Sequence, residues 1–126
     1  MITEKVREVL IQAFLDNVPQ IQHAARTSKG FCSVGVLYEY LVKQGLCTWE
    51  ESKQHGYYLK DAKGMYLLDT RLLQTQYGLT TNEIWEISYM NDSPDKPTFL
   101  DIARKIGIKE EVITHGPRET TPRTGS

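Results

Sequence analysis

Ile2, Val6, Val9, Leu10, Ala13 and Phe14 recur at three- and four-residue intervals, with Glu4, Lys5, Arg7 and Glu8 in the gaps. That spacing puts the apolar side chains on one face and predicts an amphipathic helix, starting near Thr3 and ending before Pro19. From Pro19 to Gly30 the chain is polar and without period, which predicts a loop with room for a helical turn around residues 21–25. Val34, Leu37, Tyr40 and Leu41 then form the stripe of a second helix beginning near Cys32 or Ser33. Gly45 stands where a helix end favours a left-handed residue.

Beyond Gly45 the period changes twice. Thr48 followed by Glu51 is a capping-box pattern and predicts a short helical turn. The runs Tyr57-Tyr58-Leu59-Lys60 and Met65-Tyr66-Leu67-Leu68 flank Asp61-Ala62-Lys63-Gly64 and predict a β-hairpin. A hairpin alone is marginal in water, so it must pack on the helices. Leu72, Leu73 and Tyr77 mark another helix stopped at Gly78. Thr80 with Glu83 forms a second capping box, opening a helix with Ile84, Trp85 and Ile87 that ends near Asn91-Asp92. Ser93 to Pro97 is turn-forming, and Thr98 caps a last helix carrying Phe99, Ile102, Ala103 and Ile106, closed by Gly107. The expected fold is α+β: one mainly helical domain over residues 1–114 with one small hairpin. Residues 115–126, without apolar side chains and rich in Thr, Pro and Gly, are expected to be a disordered tail.

Composition narrows the function classes. Fifteen basic against sixteen acidic residues give a net charge of −1, so nothing marks the surface as built for nucleic acid or an anionic membrane. No apolar run is long enough to span a bilayer, and the first residues lack a signal-peptide core, which predicts a cytoplasmic protein without membrane contact. Cys32 and Cys47 are expected as free thiols. No tetrahedral metal set and no cofactor motif is present.

Four constellations could carry chemistry or binding. Cys32 at a helix N-terminus, with His23, His55 or His115 delivered from elsewhere, has the parts of a small hydrolase or transferase. A buried thiol packed beside Phe31 is the simpler reading, and the sequence leans away from an enzyme. Residues 99–113 have the apolar and glycine spacing of a helix-turn-helix, which makes nucleic-acid binding by the helix from Phe99 an alternative. The second half of that unit, however, opens on Glu110-Glu111, which would face phosphates. The loop Asn91-Asp92-Ser93-Pro94-Asp95 begins like a calcium loop but lacks its later glycine and glutamate. Finally, Tyr57, Tyr58 and Tyr66 are candidate binding residues, because tyrosine supplies rigid amphipathic contact area. Asn91 and Asp92 are the other candidate binding pair, with a structural corner as the competing role.

Two of these segments together carry a resemblance. Gly30-Phe31-Cys32-Ser33-Val34-Gly35-Val36-Leu37 resembles the aromatic-C-C-L-G-V-L segment of a family of small uncharacterised proteins of tailed bacteriophages and prophages. That family carries an N-D-x-G-K-S-F-x-E-I-A segment further on, which Asn91-Asp92-Ser93-Pro94-Asp95-Lys96-Pro97-Thr98-Phe99-Leu100-Asp101-Ile102-Ala103 resembles, and a Gly-Tyr-Tyr stretch between, as at Gly56-Tyr57-Tyr58. The likeness covers residues 20 to 106. Ser33 replaces the family's second cysteine, Pro94 stands where glycine is usual, and the N-D loop is one residue longer. The resemblance implies a phage accessory protein, an origin rather than an activity; the leading expectation beside it is binding of a host or phage protein in the host cytoplasm, leaning away from an enzyme.

Overall fold

The computed structural model describes residues 4–54, 56–67 and 69–106. Helix α1 is Glu4–Leu15 and turns Val6, Val9, Leu10 and Ala13 into the core, while Phe14, which the spacing put on the same face, is left exposed at its edge. A narrow antiparallel ribbon follows, β1 (Arg26–Thr27) with β2 (Gly30–Phe31). Helix α2, Ser33–Lys43, is the centre of the packing and touches α1, α4, β2 and β3. Gln44 ends it and Gly45 takes the left-handed conformation at φ 81°. The hairpin β3 (Cys47–Ser52) with β4 (Gly56–Asp61) comes next, then α3 (Arg71–Tyr77), α4 (Thr81–Asn91) and a helix α5 over 99–106. The architecture is the expected α+β domain, mainly helical, with two small antiparallel sheets.

Both later helix starts follow the predicted chemistry. The Thr80 hydroxyl accepts the Glu83 amide and the Glu83 carboxylate accepts the Thr80 amide, a complete capping box. Thr98 and Asp101 make the same reciprocal pair at the start of α5, at 3.0 and 3.1 Å. Leu10, Leu37, Leu73, Ile87, Phe99, Ile102 and Ile106 are buried in the common core. The Tyr77 hydroxyl, buried among them, donates to the Leu37 carbonyl at 2.6 Å, tying α3 to α2.

Three local readings are corrected. The Thr48–Glu51 pattern does not open a helical turn, because Cys47, Trp49 and Leu59 share the inward face of a strand pair. Alternation with a large aromatic decided the local structure there: Thr48 became an outward strand position and Glu51 an exposed one on the Trp49 side, opposite Tyr57. The hairpin's main partner for Tyr57–Lys60 is therefore β3, with Trp49 opposite Leu59. Residues 65–67 add only a short outer edge, through Asp61 N–H to Met65 O at 2.8 Å and Leu67 N–H to Leu59 O at 2.9 Å. The segment 21–25 makes no helical turn; it runs as bends into β1. The last part of the candidate helix-turn-helix and the tail at 115–126 lie outside the described residues, as do His55 and His115.

Candidate functional site

Asn91 is the last residue of α4 and is only 1% exposed, so its carboxamide must find partners inside the protein. It finds a full set. Its Oδ1 accepts the Gln20 side-chain amide and the Ser33 backbone N–H, each at 3.0 Å. Its Nδ2 donates to the Ile21 carbonyl at 2.8 Å and to Asp92 Oδ1 at 3.2 Å. Gln20 Nε2 also donates to the Pro97 carbonyl, and Gln22 Nε2 to the carbonyls of Asn91 and Ser93. The extended segment 20–22 is thus strapped across the α4–α5 corner, while Ser33 ties that corner to the start of α2. The Ser33 hydroxyl adds a bond to the Ile87 carbonyl at 3.2 Å. A carboxamide with two donors and two acceptor positions filled has nothing left for a ligand.

Asp92 is differently placed. Its Oδ1 accepts the His23 backbone N–H at 2.9 Å, fixing His23 in the left-handed region at φ 68°. Its Oδ2 lies 3.7 Å from His23 Nδ1. Both line a cleft of about 320 Å³ between residues 23–25 and the α4 face of Ile84, Trp85 and Ser88, with Cys32 in the same lining. A thiol, an imidazole and a carboxylate therefore share one cleft. The thiol is not activated there. Cys32 is 7% exposed, and its Sγ is the N-cap acceptor of α2, taking the Gly35 amide at 3.3 Å. Burial pushes its pKa up, outweighing the amides that favour the thiolate. The His23 side chain is 75% exposed, turned out toward solvent. Behind the cleft α2 packs directly on the 23–25 segment, since a Cβ on Gly35 would collide with the Ala25 carbonyl oxygen.

The three candidate tyrosines fall on opposite faces of the hairpin. Opposed residues in an antiparallel pair share a face and neighbours along a strand alternate. Tyr57 accordingly lies with Trp49 on the inner face, the rings edge to face at 6.4 Å. Tyr58 faces out with Glu50 and Lys60 and packs on Tyr66 at 5.3 Å. Tyr66 and Met65 remain 59% and 65% exposed. The structure thus joins Tyr58 to Tyr66, and separates both from Tyr57 and from the Asn91–Asp92 corner.

Gln20 and Gln22 carry no motif in the sequence, although their alternation marks one side of an extended segment, and Ser33 stands out there only as a helix start and in place of a cysteine. On α5, Arg104 and Lys105 are exposed beside Asp101 and Asp95, so that surface is of mixed charge. Among the described residues no three His, Cys, Asp or Glu side chains converge on a metal position. No described helix is long and apolar enough to cross a membrane. No family model matches the chain, and neither a curated protein nor a solved structure matches it.

Proposed function

We propose that the protein acts by binding another protein, without catalysis, through the outward face of its hairpin. The observation that carries this reading is the Tyr58–Tyr66 ring pair, with Tyr66 and Met65 left largely uncovered beside it. Paired tyrosines lose little conformational entropy on docking and offer both apolar area and hydroxyls, the usual make-up of an interface hot spot. Lys60, whose ammonium lies 5.4 Å from the Tyr66 ring centre and 3.9 Å from Glu50, gives the patch a polar rim. The bound thiol at Cys32 and the saturated carboxamide at Asn91 both favour structural roles for the other candidates. The resemblance of residues 20 to 106 to phage proteins supports a phage-encoded accessory protein, with a host or phage protein in the host cytoplasm as its partner.

The test compares the parent with a Tyr58→Ala/Tyr66→Ala variant as immobilised baits in host-cell lysate. A partner retained by the parent and lost by the variant, at unchanged thermal stability, is the expected result. Partners captured equally by both baits would remove the hairpin face from the function.

A further inference from the structure

Arg26 enters the fold on β1, and its guanidinium carbon lies 4.2 Å from the ring centre of Tyr57, 5.1 Å from Phe31 and 5.3 Å from Trp49. The three rings come from β4, β2 and β3 in turn. Trp49 is itself fixed, its indole N–H donating to Glu39 on α2 at 2.9 Å and the Tyr38 ring packing edge-on at 6.5 Å. Arg26 is therefore gripped through aromatic contacts on a rigid shelf. A guanidinium held this way keeps its N–H donors along its edge, in the fork that matches a carboxylate. Among the described residues none accepts from the Arg26 edge, and none of the Arg26 nitrogens is sealed from solvent without a partner.

We propose that Arg26 is a carboxylate receptor, its fork presented by the Phe31–Trp49–Tyr57 shelf to an acidic group that lies against the rings. The rotamer freedom an arginine normally loses on binding is already spent in the fold, which lowers the cost of docking. Glu39 accepts the Trp49 indole N–H, and among the described residues no carboxylate is paired with Arg26. Glu51, opposite Tyr57 on the same hairpin face, disfavours a doubly charged phosphate over a singly charged carboxylate. This site is on the inner side of the hairpin, away from Tyr58 and Tyr66, and does not rest on the function proposed above.

The experiment follows the Arg26 Nε–H and Trp49 indole N–H resonances of the full chain. Acetate, inorganic phosphate and the capped peptide acetyl-Gly-Asp-Gly-amide are titrated separately, with sodium chloride at matched ionic strength as reference. Acetate and the peptide should each displace both resonances to saturation, and chloride should not. Tighter binding of the peptide would assign the carboxylate to a protein partner, and equal affinity to a small acid. Arg26→Gln should weaken the response at least about tenfold, and Arg26→Lys, with the charge but not the fork, should weaken it less. A drift identical to that in chloride, saturation by phosphate ahead of acetate, or saturation that survives in Arg26→Gln would each overturn the proposal. The parent titration decides alone if the variants fail to fold.

Discussion

The Asn91 side-chain oxygen accepts the backbone N–H of Ser33 at 3.0 Å, joining positions 58 residues apart in the chain at a buried site. This bond puts the end of α4 against the start of α2, and Gln20 shares the same oxygen. An asparagine that only stopped its helix would cost little to replace. Here Asn91→Ala leaves the buried Ser33 amide and the half-buried Ile21 carbonyl without their partner. The expected loss is about 3 kcal/mol, several times that of a surface asparagine. Urea unfolding at neutral pH measures it, and a loss under about 1 kcal/mol would mean the corner relaxes around the gap.

Gly35 and Gly45 separate close approach from backbone conformation. On Gly35 a new Cβ meets the Ala25 carbonyl oxygen, so either α2 or the 23–25 segment must move. Gly35→Ala should destabilise by about 3 kcal/mol or more, despite alanine's better helix propensity. At Gly45 nothing lies within 4 Å, and only the left-handed φ of 81° opposes a side chain. Gly45→Ala should cost about 1 kcal/mol. Equal thermal shifts for the two variants would contradict this account.

The helices were legible in the sequence because each carried its own local signals. α4 has Thr80 and Glu83 to open it, and α1 has an apolar stripe ended by Asp16-Asn17 ahead of Pro19. The hairpin was only half legible. Thr48 and Glu51 satisfy a helix-start pattern, but Trp49 needs the Arg26–Tyr57 shelf, and that shelf is assembled from strands distant in sequence. The Asn91 corner was visible as a loop between capped helices. Its true connections run to Gln20, Ile21 and Ser33, and no local pattern encodes a contact across 58 to 71 residues. The faces of Tyr57 and Tyr58 follow from alternation once β3 is known as their partner.

The α5 start is a pH probe. Hydrogen bonds from the Thr98 amide and hydroxyl hold the Asp101 carboxyl below its ordinary pKa of 3.8. A depressed folded-state pKa means the stabilisation is complete above the unfolded value and disappears as pH falls through the folded one. Asp101→Asn should therefore flatten the acid limb of the stability curve below about pH 4 while leaving its shape above pH 5 unchanged. Thr98→Ala removes the hydroxyl cap and should cost about 1 kcal/mol at neutral pH. An acid limb equally steep in parent and Asp101→Asn would show that the pair does not form in solution.

Cys32 separates a structural thiol from a catalytic one. As the N-cap of α2 it accepts the Gly35 amide, and burial raises its pKa above the ordinary thiol value of 9.0. The neutral thiol is thus the form the fold favours. Its contribution to stability is intact below the unfolded pKa and is lost as pH climbs through the folded one. Iodoacetamide labelling at pH 8, mapped by mass spectrometry to distinguish Cys47, should modify Cys32 at least about tenfold more slowly than the same cysteine in urea. The rate should still be rising at pH 9, because the thiolate has yet to form. A nucleophile paired with His23 and Asp92 would instead label rapidly, with a rate that levels off near pH 7. Cys32→Ser completes the comparison. A serine hydroxyl can take the same Gly35 amide, so the fold should survive with a loss of about 1 kcal/mol or less, and partner binding should persist. Fast labelling with an early plateau, together with a folded but inactive serine variant, would make the cleft beside Trp85 an active site and displace the binding function proposed for the hairpin.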